Sequence, residues 1–189
     1  MIPNRAEIVS SFIGAWRVFR LDPDAMRWFD TSLEGFWRSF FAAVLALPSF
    51  AVAYAFLVAD MEEAPEPAVA FMLGAIAYGA SWVAFPVAAA VVVRPMGYGR
   101  HFVPYIVAHN WCAALVAQAY LVVEILIRIG VFAGDLSGFV KIVLFAVTLW
   151  YGWRVARAAL GASMSLAAAM VVLATGLDLL ISYLLFASL

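Results

Sequence analysis

Four stretches of the chain carry no Asp, Glu, Lys or Arg: Ser39 to Ala59 (21 residues), Pro67 to Val93 (27), Phe102 to Val123 (22) and Ala158 to Leu177 (20). A helix crossing ~30 Å of hydrocarbon at ~1.5 Å per residue needs about 20 residues, so each is long enough. None shows the alternating segments of about ten residues that a membrane β-barrel requires. The pattern therefore predicts an all-α, polytopic membrane helix bundle. Extending the runs to their flanking breaks gives five crossings, at 33–59, 68–93, 102–127, 136–153 and 166–189. The fourth is only 18 residues long and has Lys141 near its start, so four crossings is the alternative reading.

Ahead of the crossings, residues 1–32 form a segment of different character. Ile8, Phe12, Trp16 and Phe19 recur at spacings of four and three, with Arg5, Glu7, Ser10, Arg17 and Arg20 largely elsewhere. This is the pattern of an amphipathic helix lying on a membrane surface, or of one docking a soluble partner. Leu21-Asp22-Pro23 ends it, because the residue before proline is pushed out of the helical region. Thr31-Ser32-Leu33-Glu34 has the form of a capping box, with Thr31 as cap, opening the first crossing; Pro48 is expected to kink that crossing. The first 35 residues are too charged, and lack the apolar core, for a cleavable signal peptide.

Composition sharpens the class. Hydrophobic residues make up 67% of the 189 and charged ones 12%, against roughly 45–50% and about 25% in soluble domains, which leaves little chain for a soluble domain. The net charge of −1 and the lack of a basic block give no indication of nucleic acid as a partner. The single Cys112, inside an apolar run, excludes an intrachain disulfide and a multi-cysteine metal site and reads as a small buried apolar residue. Nine of the eleven basic residues would lie on one side if the N-terminus is cytoplasmic: Arg5, Arg17, Arg20, Arg27, Arg38, Arg94, Arg100, Arg154 and Arg157. The positive-inside bias then places the N-terminus in the cytoplasm and the C-terminus outside, in a bacterial inner membrane. Trp16, Trp28, Trp37, Trp150 and Trp153 become anchors at the cytoplasmic interface.

The candidate chemistry lies within the crossings. Asp178 falls twelve residues into the last one, where an aspartate costs about 2.5–3.5 kcal/mol and needs a compensating partner. The third crossing supplies His109, Asn110 and Gln118, of which Gln118 is nearest in depth. Two readings stay open: a proton or cation relay through these four residues, or a protonated Asp178 hydrogen-bonded to Gln118 and locking two helices together. Glu124 and Arg128, four apart in the favourable order, form an outer ion pair that Lys141 can join. Ala70, Gly74, Ala75 and Gly79, and later Gly161, Ser165 and Ala169, are small residues at helical spacing of the kind that lets helices approach closely.

No nucleophile constellation, phosphate loop or dinucleotide fingerprint is present, and no His, Glu or Asp pair has helical metal-ligand spacing. Gly97-Tyr98-Gly99-Arg100 lacks the strand and helix that would give a glycine-rich loop meaning. The chain therefore reads as a non-enzyme without cofactor or metal. Its partners are membrane lipid and either its own copies or a larger membrane complex, with the role of a structural or accessory subunit. The alternative is a small proton-coupled transporter or channel using Asp178 with Gln118, Asn110 and His109.

The segment Leu149-Trp150-Tyr151-Gly152-Trp153-Arg154-Val155-Ala156-Arg157-Ala158-Ala159-Leu160-Gly161-Ala162-Ser163, followed by an alanine-rich last crossing, resembles the penultimate-to-last helix junction of the Ypt/Rab-interacting (Yip) five-pass membrane protein superfamily. The resemblance covers about forty residues and implies a helical bundle, self-association and a role in membrane organisation or trafficking. The Asp-Leu-Tyr-Gly-Pro motif of eukaryotic members is absent, so binding of small GTPases is not implied. Gly35-Phe36-Trp37-Arg38-Ser39-Phe40-Phe41 is similar to small uncharacterised bacterial inner-membrane proteins, a resemblance that implies no activity.

Overall fold

Asn4 opens the first helix, its side-chain oxygen accepting from the Glu7 amide at 2.9 Å; without that acceptor an end amide of the helix would lack a partner. The computed structural model describes residues 2–186. In chain order the helices are α1 (Arg5–Phe19), α2 (Leu33–Ser39), α3 (Phe41–Ala59), α4 (Pro67–Val93), α5 (Phe102–Arg128), α6 (Asp135–Leu160) and α7 (Met164–Phe186). A short 3-10 turn, Ala25–Trp28, follows α1. No strand occurs among the described residues.

Several local expectations shift. The cap of α2 is Ser32 rather than Thr31: its hydroxyl accepts from the Gly35 amide at 3.0 Å, while Asp30 takes the Ser32 amide at 3.0 Å. Glu34 is thereby released from a capping role and turns to Arg38, 3.3 Å away. The first crossing is interrupted at Phe40, between α2 and α3, and α3 runs on through Pro48. The helix expected at 136–153 is longer, covering Asp135–Leu160, because Arg154 and Arg157 lie within its final turns rather than ending it.

Four stretches among the described residues are long and apolar enough to cross a membrane: Leu33–Ala59, Pro67–Arg128, Asp135–Leu160 and Met164–Leu185. That is fewer than the five predicted. The cause is the segment between α4 and α5, expected as a polar loop, which keeps helical turns over Arg94–Tyr98 and Gly99–His101. It kinks at Gly97, whose φ of 84° suits a residue without a Cβ. The second stretch, 62 residues, is thus two helices of 27 residues each.

The α5 helix is the centre of the bundle, packing against α1, α2, α3 and α6, while α4 packs chiefly against α7. The buried core runs through the first half of α5 (Tyr105, Ile106, Ala108, Trp111) and meets Tyr151 and Val155 of α6, Met170 of α7, and Ala15 and Val18 of α1. The segment from α1 to the cap of α2 therefore does not stand apart from the bundle. The face that α1 buries is Ser11, Gly14, Ala15 and Val18, with Ile8, Phe12 and Phe19 beside it, and the Tyr151 hydroxyl donates to the Ala15 carbonyl at 2.6 Å. Trp16, expected on the apolar stripe, is 51% exposed and stacks on Phe19 instead.

At the opposite end the helices are tied by charge. Arg128 pairs with both carboxylate oxygens of Asp60, and Lys141 reaches Glu124 at 3.1 Å. The expected Glu124–Arg128 pair is the loosest member, at 3.7 Å, because Asp60 at the end of α3 presents its carboxylate to the same guanidinium. Arg128 holds the Asp60 carboxyl below its ordinary value of 3.8, first by hydrogen bonding and then by charge, with Lys141 adding to it. A depressed carboxyl favours folding above pH ~3.8, and that contribution disappears as pH falls through the folded value. Arg128→Gln is expected to return Asp60 toward the ordinary range, as read by carboxyl-carbon NMR titration. An unchanged titration would show that Arg128 is not its determinant.

Candidate functional site

Because α4 leans on α7 and touches α5 only lightly, space remains between α5 and the α4–α7 pair. That space is a cavity of about 540 Å³, lined from α3, α4, α5, α6 and α7. Its volume lies within the 300–1,000 Å³ typical of small-molecule sites. Most of its wall is apolar and aromatic, and its polar groups include Tyr105, His109, Asn110, Thr148, Thr175 and Asp178.

His109 projects from α5 with its ring 4.1 Å from that of Phe85. Neither imidazole nitrogen has a hydrogen-bond partner among the described residues. Asn110, 1% exposed, has its amide nitrogen committed to the Ser39 hydroxyl at 2.9 Å, and that hydroxyl donates to the Phe36 carbonyl at 2.7 Å. Adjacent residues on a helix point about 100° apart, yet both line the cavity because its wall wraps round α5. Asp178 lies exposed on the α7 wall and has neither hydrogen bond nor ion pair among the described residues. Thr175, one turn earlier, lines the same wall, whereas Ser182 does not.

Gln118 does not join this group. Its amide donates to the Leu45 carbonyl at 3.1 Å, fastening α5 to α3. The expected Gln118–Asp178 hydrogen bond is therefore absent. The third and fifth predicted crossings face one another across space.

The small-residue faces divide. Gly74 is buried beneath Tyr54, where an added Cβ would come within 2.6 Å of the ring, and the Tyr54 hydroxyl donates to the carbonyl of the buried Ala70 at 2.9 Å. Ala75 and Gly79 are exposed, and nothing lies within 4 Å of a Cβ placed on Gly79. Gly161, Ser165 and Ala169 are exposed as well. Gly161 caps α6 in the left-handed region (φ 60°), so the helical spacing that counted it with Ser165 does not apply. The residues that α7 buries are instead Leu166, Ala167 and Met170, after Ala162 in the turn.

Five of the seven tryptophans, those expected as interfacial anchors, lie on α1, the turn after it, α2 and the second half of α6. Trp37 and Trp150 are exposed, Trp28 carries the Arg17 guanidinium over its ring at 4.6 Å, and Trp153 donates to the Met164 carbonyl at 3.3 Å. Cys112 is buried as a free thiol.

Sequence reasoning passed over two features. The aromatic wall residues Tyr78 and Trp82, and Tyr105 beside His109, recur four apart on one helix face, a spacing that signals a shared surface. The other is Arg38, counted only among the basic residues. It lies 2.9 Å from Glu7 and 2.5 Å from Asp30 as well as 3.3 Å from Glu34, and is the electrostatic link between α1 and the bundle. Comparison of the chain with protein-family models, with curated proteins and with solved structures returned no match.

Proposed function

We propose that this chain is a small integral membrane protein that binds a small molecule in the cavity between α5 and the α4–α7 pair and carries it across the bilayer. α2 and α3 together make one passage and α4, α5, α6 and α7 one each, giving five. The α1 end, with its tryptophans and with Arg5, Arg17, Arg38 and Arg157, faces the cytoplasm of a bacterial inner membrane, as the positive-inside bias requires. The observation that carries the reading is a 540 Å³ space between apolar helices onto which His109 and Asp178 present groups that no described residue engages. Ionisable side chains inside a membrane are expensive and mark substrate or ion pathways. Here the relay set contracts to His109, Asn110 and Asp178, since Gln118 serves the α3–α5 contact.

The test is solute uptake by proteoliposomes, screened with small organic solutes and read together with internal pH. The wild type is expected to carry a flux that Ala113→Trp, which fills the cavity, and Asp178→Asn each reduce at least tenfold. A flux indifferent to both variants would refute the assignment.

The second reading is an accessory subunit packed against copies of itself or a larger complex. The uncovered Ala75–Gly79 face of α4 favours it. A stoichiometric partner retained through mild-detergent purification, without flux by the chain alone, would decide for that role.

A further inference from the structure

The cavity wall is electrically one-sided. Among the described residues its only carboxylate is Asp178, and neither Arg nor Lys lines it. Aromatic side chains of Phe50, Tyr78, Trp82, Tyr105, Tyr120 and Phe145 line the same wall, and an aromatic ring is a favourable neighbour for a cation that reaches its face. An anionic ligand would meet the carboxylate with nothing to offset it. A strongly hydrated small cation would lose its water shell to a mainly apolar wall that offers few oxygens in return. A cation whose charge sits on an apolar body avoids both penalties.

The position of the opening says where such a ligand enters. The inner part of the cavity is closed by buried Tyr105, Asn110, Tyr151 and Met170, whereas Tyr120, Phe145 and Leu179 are exposed. Tyr120 lies eight residues before Arg128 and Phe145 ten after Asp135, so at ~1.5 Å per residue they stand ~12 and ~15 Å from those helix ends. Apart from buried Tyr105 at the closed inner end, no described lining residue belongs to the terminal turns of these helices. The mouth is thus at the side of the bundle, at the depth of the hydrocarbon, with Asp178 at its edge.

We infer that the cavity is a site for a lipophilic monovalent cation, an ammonium or related charge on an apolar body, which enters sideways from the bilayer and is held by Asp178 and the aromatic wall. This rests on the cavity reading above and names its ligand class. The same chemistry is offered by a free lipophilic cation and by the amine headgroup of a lipid.

The test is equilibrium binding of tetraphenylphosphonium to the purified full chain in nanodiscs, with tetraphenylborate as the anion of the same shape. Saturable binding of the cation is expected, weakened at least tenfold by Asp178→Asn and largely restored by Asp178→Glu, with no competition from tetraphenylborate. Among the described residues Asp178 makes neither hydrogen bond nor ion pair, so Asp178→Asn is expected to leave the fold intact, as read by circular dichroism. At constant phosphatidylglycerol content, exchanging a neutral glucosyl lipid for phosphatidylethanolamine separates the sources. Weakened binding in the wild type but not in Asp178→Asn identifies a lipid amine as the occupant, and unchanged binding identifies a free cation. Equal binding by the wild type and Asp178→Asn, equal binding of tetraphenylborate, or no cation binding at all would overturn the inference. If Ala113→Trp still abolishes binding that Asp178→Asn leaves untouched, the cation assignment falls while the cavity reading stands.

Discussion

Gly35→Ala is expected to destabilise the protein by roughly 3 kcal/mol, at the upper end of the usual overpacking range, and to loosen the start of α2. A Cβ on Gly35 would lie 2.1 Å from the Asp30 carbonyl oxygen and 2.7 Å from the carboxyl carbon of the same residue. The nearest atom is backbone, so no rotamer change relieves the contact. Asp30 cannot retreat without releasing the Ser32 amide and Arg38, which it holds at 3.0 and 2.5 Å. The loss includes the Ser32 cap, because the Gly35 amide is its donor. Thermal unfolding in detergent, with far-ultraviolet circular dichroism as the probe, checks this. A variant that melts with the wild type would mean that the 29–35 turn relaxes freely.

Arg38→Met is expected to lower the midpoint of thermal unfolding and to release α1 from the bundle. Hydrogen bonds to charged groups contribute about 1.5–3 kcal/mol each, and removing one member of a largely buried pair leaves the other charge uncompensated. Glu7 is the costly one, at 13% exposure; Glu34, at 73%, adds little. The same cluster predicts an acid response. The Asp30 carboxyl is held below 3.8 by the Ser32 hydroxyl and amide first and by Arg38 after them. Its contribution is therefore complete above pH ~3.8 and lost as pH falls through the folded value. Wild-type stability should drop in that window, and Arg38→Met should drop less, having already lost the guanidinium share. Limited proteolysis within Arg5–Phe19 across pH 3–7 reads the release of α1 directly. Protection of that segment in Arg38→Met equal to the wild type would exclude Arg38 as its fastening.

Both residues illustrate where sequence reading reaches and where it stops. Gly35 and Arg38 stand in a short charged stretch beside a long apolar one, and the pattern there announces a helix start and little else. The identity of the cap depended on a shift of one residue, from Thr31 to Ser32. Adjacent hydroxyl residues compete for one role, and the backbone entering from Asp30 decides between them. The three carboxylates on Arg38 come from positions 7, 30 and 34, and the separation of 31 residues between Glu7 and Arg38 leaves no periodic trace.

The same holds for the candidate site. His109, Asn110 and Asp178 stood out because polar groups among apolar runs are conspicuous, and all three line one cavity. Gln118 stood out for the same reason and belongs elsewhere, since nearness in depth does not give the direction round a helix axis. The small residues Ala75, Gly79, Gly161, Ser165 and Ala169 are exposed within the chain, so no described helix is the neighbour their spacing suggested. Spacing defines a face but does not name the neighbour that covers it.

The sequence by itself determined the all-α class, the membrane-spanning lengths and the polar residues placed among them, because these follow from the transfer free energy of individual residues and from helical periodicity. Tertiary structure decided that α1 joins the core, that Arg128 prefers Asp60 to Glu124, and that a cavity separates α5 from α7. Those outcomes depend on which helix faces meet, and packing of α4 on α7 sets that jointly for residues far apart in the chain.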